Sequence, residues 1–341
     1  MPELGENCGI CAVSTNKNSK AENIVYSIYK MLLNMQNRGQ LSAGLSTFNP
    51  KRNNMLDTYK DLGLVNKVFR TESKNKIRAI LERYDGESGI GHVRYATSGS
   101  DGLNLAQPYE RQHGRVWKWF SFAFNGNLAN LSELKKSLLA KEGYHIINNS
   151  DTEVMMHYIS RELRFAKKPE ISDVFRNISE KFDGAYNIAF LDGTGQLVVA
   201  RDPLGIRPLS YGTNNSSIFA ASETNALAAC GVYNPRHLKP GEMLIMKNGR
   251  GRVVRYAKSK KRARCMFEWV YFSNISSIID GISVYSVRKN LGKALARRET
   301  LKIDDDVVIV PVPETSKNLL SSSSLSYSIC PLRRILFSCM S

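Results

Sequence analysis

The chain has 341 residues, of which 42% are hydrophobic and 23% are charged, and these proportions are those of an ordinary globular protein. Two domains are expected, because one domain usually holds about 100–200 residues. Six cysteines are spread too thinly for a disulfide framework, and no apolar run approaches the roughly 18 residues of a membrane-spanning helix. We therefore expect a cytoplasmic protein with reduced thiols and no membrane segment.

The formal net charge is +17, which would permit binding to nucleic acid or to a membrane surface. The basic residues are scattered, however, and the dense run is confined to residues 258–264. Such a run is more typical of a solvated connector than of a binding site. We therefore do not expect a nucleic-acid partner.

The hydrophobic pattern of the first 257 residues predicts strands in two groups with helices between them. Predicted strands cover 9–15, 41–48, 88–96, 119–124, 185–191, 196–201, 217–221 and 242–247, and predicted helices cover 22–37, 131–141, 151–165 and 170–182. The triplet Asn125-Gly126-Asn127 predicts a turn after the strand at 119–124. This order favours an α+β layered domain over a regular βαβ alternation.

The pattern changes after residue 257. Residues 282–299 predict a helix, and 306–311 predict a buried strand of the kind found in parallel sheets. These elements indicate the start of an α/β domain over 258–318. The serine-rich tail, 319–341, has no acidic residue and resembles no continuing α/β unit. We interpret it as divergent sequence after a break of the reading frame or of the gene near residue 317.

Cys8 opens the string Cys8-Gly-Ile-Cys11 after a short polar prefix. If residues 1–7 are removed as a propeptide, a thiol and a free α-amine belong to one residue, which joins nucleophile and general base. The α-amine suits this role because its reference pKa, about 7.7–8.0, lies near neutral pH. The string also fits a redox or zinc Cys-x-x-Cys motif, or small residues at the head of a strand. The chain has no second such pair, which disfavours zinc.

Several other motifs accompany Cys8 in a fixed order. They are Arg38-Gly39-Gln40, His92-Val-Arg94-Tyr-Ala-Thr97, Asn125-Gly126-Asn127, Ser150-Asp151-Thr-Glu153, Asp183-Gly-Ala-Tyr186, Arg201-Asp202-Pro-Leu-Gly205-Ile-Arg207-Pro-Leu and Ala221-Ser222-Glu223-Thr224. Together they resemble the class II glutamine amidotransferases, which are N-terminal-nucleophile hydrolases. The resemblance implies a four-layer αββα sandwich over residues 8–257.

The resemblance also implies a role for each matched residue. Cys8 would be the nucleophile, with a γ-glutamyl thioester as intermediate. The Asn125 side chain and the Gly126 backbone N–H would form the oxyanion hole. The remaining roles are binding of the glutamine α-carboxylate by Arg94, binding of its α-ammonium by Asp151, support of the substrate loop by Thr97, and positioning of the Cys8 strand by Arg38.

Each residue also has a plainer interpretation when it is taken alone. Arg94 would then be a surface arginine on an edge strand. Asp151 would be a helix N-cap, and Asn125-Gly126 would be an ordinary hairpin turn. The functional interpretation is favoured because these residues occur together with Cys8 in one order.

The second half of the chain is similar to the amidophosphoribosyltransferase family. The similarity lies in Cys265-Met-Phe-Glu268-Trp-Val-Tyr-Phe-Ser273, in 279–289 and in 306–313. It implies that glutamine and phosphoribosyl pyrophosphate are converted to phosphoribosylamine in purine synthesis. It also implies a short propeptide, here Met1–Asn7, and a homo-oligomer.

The chain departs from that family in its second half. Glu314-Thr315 stands where the family has Asp-Ser, and the later motif of two acids followed by Gly-Thr-Thr is absent. Without it there is no cradle for the 5-phosphate and no carboxylate pair for Mg²⁺. We therefore expect a truncated enzyme that hydrolyses glutamine without making phosphoribosylamine. The alternative is an unprocessed pseudoenzyme or a binding or regulatory fragment.

Some members of the family hold a 4Fe–4S cluster on cysteines. Cys265 matches the first of those ligands, although members without a cluster also have a cysteine there. Cys330 and Cys339 lie in the divergent tail and match no ligand. We therefore expect no cluster.

Overall fold

The computed structural model describes residues 8–16, 22–95, 102–142, 144–147, 150–259 and 261–300, with the backbone alone at 141–142, 308–309 and 335–336. The contacts divide the chain into two compact units, Met1–Cys265 and Met266–Ser341. The sequence predicts a boundary after residue 257. The connector that follows is held to the first unit, since the N–H groups of Ala263 and Cys265 donate to the carbonyls of Leu204 and Ile206.

The strands of the first unit are β1 (Gly9–Thr15), β2 (Ser42–Phe48), β3 (Leu56–Leu62), β4 (Ser88–Arg94), β5 (Tyr109–Arg111), β6 (Phe120–Leu128), β7 (Gly184–Asp192), β8 (Leu197–Arg201), β9 (Ser210–Thr213), β10 (Ser217–Ala221), β11 (Arg236–His237), β12 (Glu242–Lys247) and β13 (Arg250–Arg255). Its helices are α1 (Ile24–Leu33), α2 (Val65–Val68), α3 (Lys74–Arg83), α4 (Leu131–Glu142), α5 (Asp151–Glu162), α6 (Ile171–Ser179) and α7 (Thr224–Ala228).

The first unit is a four-layer αββα sandwich. One sheet has the strand order β11-β9-β10-β1-β4-β2-β3, and the other has the order β13-β12-β8-β7-β6-β5. Neighbouring strands pair antiparallel in both sheets. One apolar cluster joins the first sheet to α1, α2, α3 and α7, a second joins the other sheet to α4, α5 and α6, and a third fills the space between the sheets. The predicted α+β sandwich is confirmed.

The predicted turn at Asn125-Gly126-Asn127 is wrong. All three residues lie inside β6, where Asn125 faces Asn187 and Gly126 faces Tyr186 of β7. Pairing with β7 continues to the end of β6, where Leu128 faces Gly184, so the sheet overrides the local turn preference.

The second unit contains β14 (Ile278–Ile279), β15 (Ile282–Ser283), helix α8 (Val284–Arg298), β16 (Val308–Ile309) and β17 (Ile335–Leu336). The predicted helix at 282–299 is confirmed as α8, which begins after Ser283, whose Oγ accepts the Ser286 N–H. Arg288 ties α8 to the preceding segment, donating to the carbonyls of Trp269 and Ser273 at 2.8 Å. Of the predicted strand at 306–311, residues 308–309 are described and pair parallel with 335–336, and the rest lies outside the described residues.

Across the described part of the chain, no helix combines the length and apolar character needed to cross a membrane.

Candidate active site

The side chains of β1 divide between the two faces of the first sheet. Cys11 packs toward the helices, whereas Ile10 belongs to the cluster between the sheets. Because successive side chains alternate across a strand, Cys8 shares the inter-sheet face with Ile10. The Cys8 side chain is buried at the head of β1. The nucleophile that the sequence indicates therefore lies between the two sheets.

Arg94 and Asn125 point into the same space between the sheets, from β4 of the first sheet and β6 of the second. Gly9 of β1 pairs with Val93 of β4, and continuing this antiparallel register sets Cys8 opposite Arg94. On β6, Ala123 belongs to the inter-sheet cluster, so Asn125 two residues later faces the same space. The structure thus brings together a buried thiol, a guanidinium and a carboxamide from distant parts of the chain.

Arg38 contacts the backbone of Cys8 through its side chain. Its Nε donates to the carbonyl oxygen of Cys8 at 3.0 Å, and its Nη1 pairs with Glu223 Oε1 at 3.1 Å. Both side chains of this ion pair are 0% exposed. A planar guanidinium suits the task because it supplies several donors in a rigid arrangement. The role of Arg38 in positioning the Cys8 strand stays a prediction, for which this contact supplies the geometry.

Asn125 is fixed by a hydroxyl at the end of β10. Its Nδ2 donates to Ser222 Oγ at 3.3 Å, and the same Oγ accepts the Ile10 N–H at 3.1 Å. The Ser222 N–H in turn donates to the Ile10 carbonyl at 3.0 Å. Ser222 therefore connects β1 to the carboxamide that the sequence predicts as an oxyanion donor.

Gly126 follows Asn125 where β6 runs tightly against β7. A Cβ at this position would overlap the carbonyl oxygen of Ala185 and lie 2.6 Å from the Ala185 carbonyl carbon. Only glycine fits so close a backbone approach. The sequence therefore supplies glycine where the approach of β6 to β7 requires it, one residue after Asn125.

Asp151 is the first residue of α5, and the N-cap of that helix is Ser150, whose Oγ accepts the Glu153 N–H at 3.2 Å. The capping role considered for Asp151 thus belongs to its neighbour. Asp151 Oδ2 instead accepts the N–H of Leu128, at the end of β6, at 2.8 Å. Burial raises the pKa of the Asp151 carboxyl, and the Leu128 hydrogen bond opposes that rise. The Asp151 carboxyl group therefore contacts the backbone of β6 two residues after Gly126.

His92, two residues before Arg94 on β4, connects the two sheets. Its Nε2 lies 3.1 Å from the Phe124 carbonyl oxygen, and the Phe124 N–H donates to Gln107 Oε1 at 2.7 Å. Burial lowers the pKa of His92 to about 3. The ring is therefore neutral at physiological pH, and it steadies β6 immediately before Asn125 without adding charge.

Cys11 and Cys230 are poor nucleophiles. Burial raises the pKa of Cys11 well above the ordinary range and raises that of Cys230 to about 11. Because the thiolate is the reactive form, both stay protonated and inert near neutral pH. Cys8, unlike Cys11, faces the space between the sheets into which Arg94 and Asn125 also point.

Some predicted residues do not enter this geometry. Thr97 lies outside the described residues, as do Cys330 and Cys339. Cys265 is half-buried with a free thiol. Within the ranges that the structure describes, no cluster of three or more histidine, cysteine or acidic side chains is arranged to hold a metal ion. An iron–sulfur cluster needs about four thiolates, and among the described residues no such group surrounds Cys265.

Sequence reasoning missed two residues that shape the site. Ser222 and Glu223 belong to the motif at 221–224, to which the sequence assigns no role. Their partners Ile10 and Arg38 lie 212 and 185 residues away, a separation that carries no local pattern. One signal could have pointed to them: Ser222 and Glu223 directly follow the buried strand β10, and buried polar side chains need hydrogen-bond partners.

Comparison with known proteins gives one consistent family. The profile of a glutamine amidotransferase domain matches residues 92–229. The amidophosphoribosyltransferase of Methanothermobacter thermautotrophicus is 38% identical over 92% of this chain and 62% of its own length. That of Bacillus subtilis is 35% identical over 92% of this chain and 60% of its own length. The chain thus spans about three fifths of the length of these curated relatives.

A solved structure gives the same result. The glutamine phosphoribosylpyrophosphate amidotransferase of B. subtilis, complexed with ADP and GMP, superposes with a TM-score of 0.80 at 32% identity. The match covers 95% of this chain and 65% of that one.

Proposed function

The chain belongs to the amidophosphoribosyltransferase family, and on that premise we propose that its first unit releases ammonia from glutamine at Cys8. The observation that carries the proposal is that the strand registers direct Cys8 and Arg94 of one sheet and Asn125 of the other into the space between the sheets. A thiol, a carboxylate-binding cation and a carboxamide donor are the groups that amide cleavage of an amino acid requires.

The proposed reaction starts when residues 1–7 have been removed and Cys8 carries a free α-amine. The amine takes the thiol proton while Sγ attacks the side-chain carbonyl carbon of glutamine. The oxyanion that forms accepts hydrogen bonds from Asn125 Nδ2 and the Gly126 N–H. The amine then returns its proton to the leaving nitrogen, which departs as ammonia. Water hydrolyses the γ-glutamyl thioester to glutamate and restores the thiol.

Substrate recognition falls to two charged side chains. Arg94 would bind the α-carboxylate with its planar fork of donors. Asp151, held beside the end of β6 through Leu128, would bind the α-ammonium. Together they select a free amino acid over an amide inside a peptide, because a peptide has neither charge at that position.

In full-length members of the family, the ammonia would be transferred to phosphoribosyl pyrophosphate. This substrate is part of the name of the solved B. subtilis enzyme. We propose that a polypeptide of these 341 residues stops at ammonia release. The reason is that its sequence holds no strand followed by two acids and Gly-Thr-Thr. That motif would supply the phosphate cradle and the carboxylates for Mg²⁺.

Ammonia release by the purified chain tests the first part of the proposal. We expect glutamine-dependent ammonia release from the wild type and none from Cys8→Ala. Cys11→Ala is the matched control, because Cys11 is buried on the same strand and faces the helices. Equal activity of the Cys8→Ala variant and the wild type would contradict the proposal.

Addition of phosphoribosyl pyrophosphate and Mg²⁺ tests the second part. We expect ammonia release without phosphoribosylamine, and formation of phosphoribosylamine would refute the restriction to glutamine hydrolysis. Intact mass shows whether residues Met1–Asn7 have been removed. A chain that keeps them and binds glutamine without cleaving it would be the binding protein of the alternative function.

A further inference from the structure

We propose that Ser222 is a positioning residue of the glutaminase site, which orients Asn125 and holds the Cys8 strand in register with it. This inference rests on the proposed function and deepens it. It comes from the contacts of one buried hydroxyl at the junction between β10 and α7.

The Ser222 hydroxyl joins two strands that belong to different sheets. Its Oγ accepts from Ile10 of β1 at 3.1 Å and from Asn125 of β6 at 3.3 Å. Ser222 is 1% exposed, so water does not compete for these bonds. The first of these residues lies two positions after the nucleophile, and the second is the proposed oxyanion donor. A single oxygen thus sets the distance between them.

The carboxamide of Asn125 needs such an anchor. The torsion that turns an asparagine amide is broad and nearly two-fold, so the group does not fix its own orientation. Its Oδ1 has no hydrogen-bond partner among the described residues. The Nδ2 group carries two hydrogens, and once Ser222 accepts one of them the planar amide determines where the other points. The second hydrogen is then available to an oxyanion, with no reorientation needed during the reaction.

The neighbouring residue acts on the other side of the nucleophile. Glu223 pairs with Arg38, and Arg38 donates to the Cys8 carbonyl. The Ser222-Glu223 dipeptide therefore holds β1 at Cys8 and Ile10 and holds Asn125 at the same time. Positioning of nucleophile and oxyanion donor depends on one short segment that sequence places more than 200 residues after Cys8.

Ser222→Ala tests the proposal by steady-state kinetics. We expect kcat for ammonia release to fall about 10-fold to 100-fold, somewhat less than for outright loss of an oxyanion donor. KM should change less than about threefold, since the Ser222 hydrogen bonds reach neither Arg94 nor Asp151 and uniform binding is kept. The matched control is Ser14→Ala. Like Ser222, Ser14 is buried and its hydroxyl accepts a backbone N–H, but it lies near the other end of β1 and its donor is Gly249.

A double-variant cycle shows whether Ser222 acts through Asn125. In the Asn125→Ala background, we expect Ser222→Ala to lower kcat by less than about threefold, because residues that act as a unit are not additive. An undiminished further loss would overturn the proposal, as would equal losses in Ser222→Ala and Ser14→Ala.

A second readout does not depend on turnover. Hydrogen exchange of the Asn125 side-chain amide, followed by NMR on asparagine-labelled protein, should be slow in the wild type and faster in Ser222→Ala. Equal exchange in both proteins would remove Ser222 as the anchor even if ammonia release is normal. A wild type that releases no ammonia would instead refute the proposed function, whatever the exchange shows.

Discussion

Removing the carboxylate of Glu223 should destabilise the first unit far more than removing a surface carboxylate. Glu223 and Arg38 are both 0% exposed and lie 3.1 Å apart. At an effective dielectric constant of about 20, two unit charges at that distance attract by about 5 kcal/mol. Breaking a buried pair on one side typically costs about 3–5 kcal/mol, because the remaining charge stays buried without its counterion. We expect a loss in that range for Glu223→Ala.

Urea unfolding followed by circular dichroism measures this loss. The control is Glu82→Ala, which removes an exposed partner of Arg78 on α3, where the two side chains are 65% and 78% exposed. Exposed pairs contribute little because solvent screens them, so the control should unfold almost like the wild type. The double variant Arg38→Met/Glu223→Leu should regain most of the stability lost in Glu223→Ala, because no unpaired charge remains.

The double variant should still hydrolyse glutamine poorly, since nothing then donates to the Cys8 carbonyl from the position of Arg38 Nε. A Glu223→Ala variant as stable as Glu82→Ala would refute the reasoning. So would a double variant less stable than Glu223→Ala.

Three further predictions concern the residues around Cys8. The pKa of His92 is about 3 in the fold, below its ordinary value of 6.5; acid therefore protonates the unfolded chain first, and the stability that neutral His92 provides is lost as the pH falls below 6.5. Urea midpoints should show that the wild type loses about 2 kcal/mol more than His92→Gln between pH 7 and pH 5, and parallel losses would contradict this. Asn125→Ala should lower kcat by about 100-fold to 1,000-fold in an ammonia assay, whereas Asn177→Ala, on exposed α6 surface, should not change it. Arg94→Lys should raise KM for glutamine by about 10-fold to 100-fold through loss of a charged hydrogen bond; an unchanged KM, as expected for the exposed Arg83→Lys control, would show that Arg94 does not bind the substrate.

The hydrophobic pattern of the sequence predicted the buried central strands of the sandwich. The run at 9–15 became β1 with the same bounds, because small and β-branched residues there are buried on both faces. Strand β3 escaped detection, since Leu56–Leu62 carries three charged residues and lies half-exposed at the edge of its sheet. At the edge of a sheet, backbone pairing forms a strand without the alternation that reveals one in sequence.

Local propensity also failed where pairing across the sheet decides the structure. Asn125-Gly126 has the composition of a turn, yet both residues are strand residues against β7. The candidate site was partly predictable, because Cys8, Arg94 and Asn125 belong to recognisable motifs. The contacts that orient them were not, since Ser222 and Glu223 act on residues that only the fold brings near.

Covalent labelling of the purified chain by the glutamine analogue diazo-oxo-norleucine tests the role of Cys8 most directly. Peptide mass spectrometry should find one adduct, on a Cys8 that is the mature N-terminus and carries a free α-amine before labelling. Labelling should be absent from Cys8→Ala and should be slowed by excess glutamine. A processed chain without an adduct, or an adduct on Cys265 in place of Cys8, would contradict the proposed nucleophile.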